Sequence, residues 1–252
     1  MVGLAIIETS IVPFRGAATG DALKDCIARW VARARSVGYD GFIVDLTGSE
    51  PIKAKIDALR CIESQQGDFK IYTRKTLILD DRRDLKASLA NIREKLGVDV
   101  VCLKSSNPDV LNFGAKDSRI DIIKLESPAE LDAFTEGVAS LAGQQGTFIE
   151  LPFVPFFRTR GASRSKYIHA ANKAIELASA KHARMLFSSD ASQLVELKNA
   201  WQKAVVLNLL LAMSKQVAMD TLLKNPAMLV DRPRTRLETV VGEVDDEETE
   251  AD

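Results

Sequence analysis

The sequence predicts one α/β domain in which about seven βα units roll a parallel sheet into a barrel, and three observations carry that expectation. Short apolar runs alternate with longer segments of helical period almost from end to end. Most of these runs are continuous Ile, Val, Leu and Phe rather than strict alternations, as parallel strands covered on both faces require. Seven or so repeats fill roughly 210 residues, near the size of about 250 at which such units close into a barrel. No G-x-G-x-x-G follows the first run, which removes the commonest reason to expect an open doubly wound sheet.

The expected strands are LAIIET (4–9), GFIVDL (41–46), FKIYTR (69–74), VDVVCLK (98–104), IDIIKLE (120–126), GTFIELPF (146–153) and ARMLFSS (183–189). Leu23, Ile27, Trp30, Ala34 and Val37 keep the spacing of one helix face, and Gly38 supplies a left-handed end. Leu85, Leu89, Ile92 and Leu96 repeat the device before Gly97. Ser127, Pro128 and Glu130 form a capping box leading into Leu131, Phe134, Val138 and Leu141. Further helices are expected near 51–64, 165–182 and 192–213. An eighth strand is doubtful, and VVLNLLLAM (205–213), apolar nearly all round, reads as a buried helix closing the barrel. The domain is therefore a TIM-like α/β barrel over residues 1–232. Residues 233–252 form a tail that is first basic (DRPRTR, 231–236, leads into it) and then acidic, with little to bury, so disorder is expected there.

The formal charge of -1 conceals an asymmetry, because seven of the 35 acids lie in the last ten residues, which hold no Lys or Arg. Residues 1–242 carry a net +6, which permits a phosphate-rich partner without requiring one. Cys26, Cys61 and Cys102 are odd in number and widely spaced, which indicates neither a disulfide framework nor a zinc knuckle and fits a reducing, cytoplasmic location. No apolar run approaches the roughly 20 residues of a membrane span, so no membrane partner is expected.

In such a barrel the working face lies where the strands run out. Glu8, Asp45, Thr47, Arg74, Lys75, Lys104, Glu126, Glu150, Ser188, Ser189 and Asp190 fall there. Carboxylates spaced across the mouth suit acid/base chemistry or a magnesium ion; equally, Glu8, Asp45 and Glu150 cap loops or pair with Arg74, Lys104 and Lys124. The two histidines, His169 and His182, share one expected helix at a spacing unsuited to joint metal ligation, and Ser188-Ser189 lies in no G-x-S-x-G elbow. Neither zinc nor serine catalysis is indicated, and no metal ligand set is assigned.

The segment from 146 to 190 is the most informative, with seven bases against three acids in one βα unit. Arg158, Arg160, Arg164 and Lys166 cluster around the start of a helix expected near Ala162 to Ser165, whose first N–H groups offer themselves to the same anion as the guanidinium forks. A grip on phosphate and a plain solvated loop both fit this pattern.

FIELPF (148–153), the Arg-rich loop and its helix, LFSSDA (186–191), an EL-K segment and KNPAMLVDR (224–232) occur in an order that resembles the archaeal ribonuclease P protein component 3 family, TIM-barrel relatives of a eukaryotic ribonuclease P and MRP subunit. The similarity is clearest over residues 146–232. It implies a barrel related to phosphoesterases that serves as a non-catalytic subunit of the RNA-based endonuclease removing 5′ leaders from precursor tRNA. It further implies, as partners, the catalytic RNA, precursor tRNA, ribonuclease P protein component 2 and the other RNase P proteins. This chain would bind no cofactor, magnesium belonging with the RNA subunit. Arg158, Arg160, Arg164 and Lys166 carry over as phosphate contacts, and Ser188, Ser189 and Asp190 as the family's loop after the seventh strand, whose two serines count among the RNA-binding residues. Arg74, Lys75 and Lys104 join the RNA-binding set from their charge at strand ends. The rival reading is a free-standing barrel phosphoesterase or lyase with Glu150 and Asp190 as its acid/base pair. A protein-binding scaffold using residues 205–213 is a third.

Overall fold

The structure, a computed structural model, describes residues 5–13, 20–48, 51–92 and 96–232. The expected tail at 233–252 and Leu4 of the first run lie outside the described residues. Seven strands form one all-parallel sheet in sequential order: β1 (Ile7–Ile11), β2 (Gly41–Asp45), β3 (Lys70–Ile78), β4 (Val100–Lys104), β5 (Ile122–Lys124), β6 (Phe148–Pro152) and β7 (Met185–Ser188). The sheet curls until its edges meet, among the described residues, at one bridge, Ile11 to Ala191, with the Val12 N–H donating to the Ala191 carbonyl at 2.8 Å. The result is a nearly closed barrel of seven strands, each of the seven expected runs supplying one.

Helices α1 (Gly20–Ser36), α2 (Ile52–Ser64), α3 (Arg82–Asn91), α4 (Pro108–Lys116), α5 (Pro128–Ala133), α6 (Glu136–Gln145), α7 (Val154–Arg158), α8 (Gly161–Ala180), α9 (Ala200–Leu211) and α10 (Lys215–Met219) cover the outside. The α1 face is the expected one, with Leu23, Ile27, Trp30 and Ala34 buried. Gly38 follows it at φ 87°, a conformation costly for residues with a Cβ. The helix expected from Pro128 to Leu141 is instead two, because Thr135 caps a fresh start, its Oγ1 accepting from the Val138 N–H at 3.4 Å. Helix α4 is not among the expected elements. Asn107 caps it by accepting from the Asp109 N–H at 2.9 Å, and Pro108 occupies its first turn.

Side chains alternate along a strand, so residues two apart share a face. Inside the barrel this produces two layers. The lower is apolar and contains Ile7, Ile43, Val100, Cys102, Ile122, Phe148 and Leu186, with Tyr72 packed against it. One step toward the C-terminal ends, Thr9, Asp45, Arg74, Lys124, Glu150 and Ser188 make a buried polar layer.

The bottom is closed by a segment other than the one expected. Beyond α10 the chain passes through a π turn (Asp220–Lys224) and stays helical over residues 225–232. Leu229 and Val230 join the lower barrel layer, Asn225 donates to the Met185 carbonyl at 2.8 Å, and Arg232 Nη1 donates to the Gly146 carbonyl at 2.9 Å. Helix α9, expected to be buried all round, has one covered face (Ala200, Lys203, Ala204, Leu207, Leu211) and leaves Trp201, Val205 and Leu209 exposed. A helix lying outside a barrel has only one neighbour layer, so an apolar far side stays bare.

Candidate nucleic-acid interface

The strand-end residues divide into a sealed ionic core and an outer basic loop. At the centre of the core, Arg74 is fully buried, with Nη1 2.6 Å from Glu150 Oε2 and Nε 3.4 Å from Asp45 Oδ2. Its Nη2 donates to Cys102 Sγ at 3.0 Å and its Nε to Thr76 Oγ1 at 3.1 Å. Thr76 in turn donates to Asp45 at 2.6 Å. Lys124 Nζ lies 2.8 Å from Asp190 Oδ2, whose other oxygen accepts from Ser10 Oγ at 2.9 Å. Glu8 accepts from the Ser189 N–H and hydroxyl, both at 2.7 Å, and from Lys203 of α9.

Burial is the largest influence on these groups, and partners decide where each ends. Burial pushes the Glu150 carboxyl above the ordinary range against the opposing pull of Arg74 and Lys124. Burial also works against ionised Asp190, yet Lys124, Arg74 and the Ser10 hydroxyl hold its carboxyl below the usual value. The Cys102 thiol is pushed up to about 12 by burial, so it stays protonated. Burial lowers the Lys203 ammonium, with Glu8 resisting.

A lowered native pKa means that the Asp190 contribution is complete above the ordinary value of 3.8 and is lost as the pH falls through the lower native value. Asp190→Asn should therefore cost about 1.5 to 3 kcal/mol at neutral pH, the usual worth of a charge-assisted hydrogen bond, because it leaves Lys124 with Glu126 at 3.4 Å as its remaining ion-pair partner among the described residues. In denaturant melts the gap from wild type should close on acidification below pH 3.8; a gap of constant size would show that ionisation is not its source.

Several sequence expectations change here. Strand β3 continues through Ile78, so Arg74 and Lys75 lie within it and not at its end. Arg74 points inward and has no surface to offer a phosphate, which removes it from the RNA-binding set. Lys75 falls on the opposite face, half-buried and partnered. Ser188 and Ser189 are buried as well, the second bound to Glu8, so neither is open to RNA. Lys104 keeps partial exposure but is paired with Glu126 at 2.7 Å and lies 3.5 Å from Glu130. Glu150 and Asp190, the rival acid/base pair, are each held against a cation inside the protein. The sequence reading missed Lys203. A lysine on the apolar stripe of α9, at the spacing of Ala200, Ala204 and Leu207, is the signal that marks it as buried.

The basic loop, in contrast, is outside. A cluster of rings fixes its base: Phe153 packs edge-on to Phe187 at 6.0 Å, and Phe156 to Tyr167 at 4.9 Å. Above that base Arg160 and Lys166 are exposed. Arg164 is half-buried, its Nε donating to the Thr159 carbonyl at 2.9 Å. Arg158 is about half exposed and pairs with Glu196 at 2.7 Å. Helix α8 starts at Gly161, just ahead of the expected start at 162–165, and Arg160 at its N-cap provides no side-chain cap. The first-turn N–H groups are thus left for solvent or an anion, beside three guanidinium groups. Among the described residues no cluster of His, Cys, Asp and Glu suited to a metal ion occurs, and no helix is long and apolar enough to cross a membrane.

The family model for RNase P subunit p30 matches residues 20–238. The chain belongs to that family. Family members are protein subunits of ribonuclease P, the ribonucleoprotein of tRNA processing, and this chain is one of them. A chain in the cryo-EM structure of archaeal ribonuclease P with mature tRNA has the same fold, at a TM-score of 0.74 and 15% identity over 91% of each chain. The barrel is shared more distantly with an adenine deaminase from Arthrobacter aurescens, at a TM-score of 0.52 and 9% identity over 86% of this chain and 80% of that one. No curated protein sequence matches the chain.

Proposed function

We propose that this ribonuclease P subunit holds the catalytic RNA by its phosphates through the loop and helix start at Arg158, Arg160, Arg164 and Lys166, and leaves cleavage of the precursor tRNA leader to the RNA. The observation that carries the reading is the uncapped start of the 20-residue α8 ringed by arginines on an aromatic base. Charge and free N–H groups converge there on a polyanion, and such contacts position a backbone without reading its sequence. The pairing of Glu150 with Arg74 and of Asp190 with Lys124 supports a non-catalytic barrel, since each acid would have to leave its cation to act. Magnesium is assigned to the RNA, with no cofactor on this chain. Precursor tRNA, ribonuclease P protein component 2 and the other RNase P proteins are the companions this role implies. The three free cysteines accord with a cytoplasmic location.

Affinity purification of the native chain, followed by sequencing of the accompanying RNA, tests the role. Ribonuclease P RNA should be enriched over ribosomal and transfer RNA after a wash at moderate salt. Recovery of no RNA, or of abundant cellular RNA in proportion to its amount, would refute it.

A further inference from the structure

A second basic site lies two strands round the barrel from the loop after β6. Between α3 and α4, where β3 and β4 run out, is a groove of about 820 Å³. Arg82, Arg83 and Lys86 of α3 and Lys116 of α4 line it, all exposed. Residues 82 and 86 share one face of α3. Both cations sit over the ring of Phe113 on α4, at 4.8 and 5.5 Å from its centroid. A ring face orders a cationic head without neutralising it, unlike a carboxylate. Among the described residues none of these four bases forms an ion pair.

The acids lining the groove are oriented by neutral donors and not by its bases. Asp81 caps α3 by accepting from the Arg83 N–H at 2.6 Å. Asp80 accepts from the Ser105 hydroxyl and the Ser106 N–H, both at 2.8 Å. Asp109, in the first turn of α4, is exposed on the same rim, so the four bases face three lining carboxylates, and the bases hold the excess. A small apolar ligand would want apolar walls, and these are polar and cationic. An open trough with ordered, unneutralised bases suits successive phosphates of a strand.

We propose that the α3–α4 groove is a second contact for the ribose-phosphate backbone of RNA, separate from the Arg158–Lys166 loop. The proposal rests on the RNA-binding role above. The strand comes from the catalytic RNA or from precursor tRNA, which share this chemistry.

The test is a salt titration of binding by the full chain, with ribonuclease P RNA and precursor tRNA as separate probes. Arg82→Gln/Arg83→Gln/Lys86→Gln should lower the slope of log affinity against log salt by about 2 and weaken binding about tenfold or more for one probe. The probe affected identifies the source of the strand. A control, Lys70→Gln/Arg184→Gln/Lys224→Gln, removes three exposed bases from the other end of the barrel and should leave the slope near wild type. An equal loss in control and groove variants overturns the proposal, since bulk charge would then explain both. So does a groove variant that binds both probes like wild type while an Arg158, Arg160 and Arg164 variant loses slope; in that case the RNA-binding role survives. If wild type binds neither RNA, the role itself fails, and the proposal with it.

Discussion

Neutralising Arg158, Arg160 and Arg164 together should reduce the salt slope of RNA binding by about 2 to 3, at roughly 0.7 to 0.9 for each phosphate left without its cation. Cleavage of precursor tRNA by the reconstituted enzyme should fall most at high salt and recover largely at low salt. The three positions are unequal. Arg160 is exposed, and the described residues offer it no ion pair, whereas Arg158 already has Glu196 at 2.7 Å and Arg164 is bonded to the Thr159 carbonyl. Arg160→Gln alone should therefore cost more affinity than Arg158→Gln, part of whose charge is spent within the protein. Thermal stability should barely change, because an exposed pair such as Arg158 with Glu196 contributes only about 0 to 1 kcal/mol. An unchanged salt slope in the triple variant, with the fold intact, would remove the loop from the interface.

Arg74→Met should destabilise the barrel by about 3 to 5 kcal/mol, the usual cost of leaving a buried charge without its partner. Glu150 and Asp45 both face Arg74, and neither has water to turn to. Adding Glu150→Leu to Arg74→Met should recover much of the loss, since an apolar pair of similar size replaces a buried ion pair at little cost. Urea unfolding of the two singles and the double measures the coupling. The same double variant separates the two functional readings. As a structural acid, Glu150 is dispensable once its partner is gone, and the refolded double should still activate the RNA in reconstitution. As a catalytic acid it is not, and a stable double variant without activity would reinstate the enzyme reading.

Much of the barrel could be read from the chain because parallel strands covered on both faces are locally conspicuous. IVD at 43–45 and VVCLK at 100–104 are apolar runs that no other element explains as simply, and all seven runs became strands. Boundaries were harder where charge interrupts a run. Arg74 and Lys75 look like the end of β3, yet the strand continues through Ile78 because one charge is paired inside the barrel and the other lies on the opposite face. The same ambiguity misplaced Arg74 as an RNA contact, while Ser188 and Ser189 entered that set by family resemblance and are buried. A residue name tells its charge and not whether the charge is spent.

The sequence by itself determined the alternation of strand and helix, the net basic body, and the concentration of bases between Thr147 and Asp190, because periodicity and composition are local properties. Only the tertiary structure decided which bases are free. Ion pairing depends on distances between strands far apart in the chain, such as Glu8 with Lys203 and Lys124 with Asp190. It also decided what closes the barrel: helical residues 225–232, and not the more apolar α9, reach the open lower end, since position after the last crossover and not hydrophobicity selects the plug.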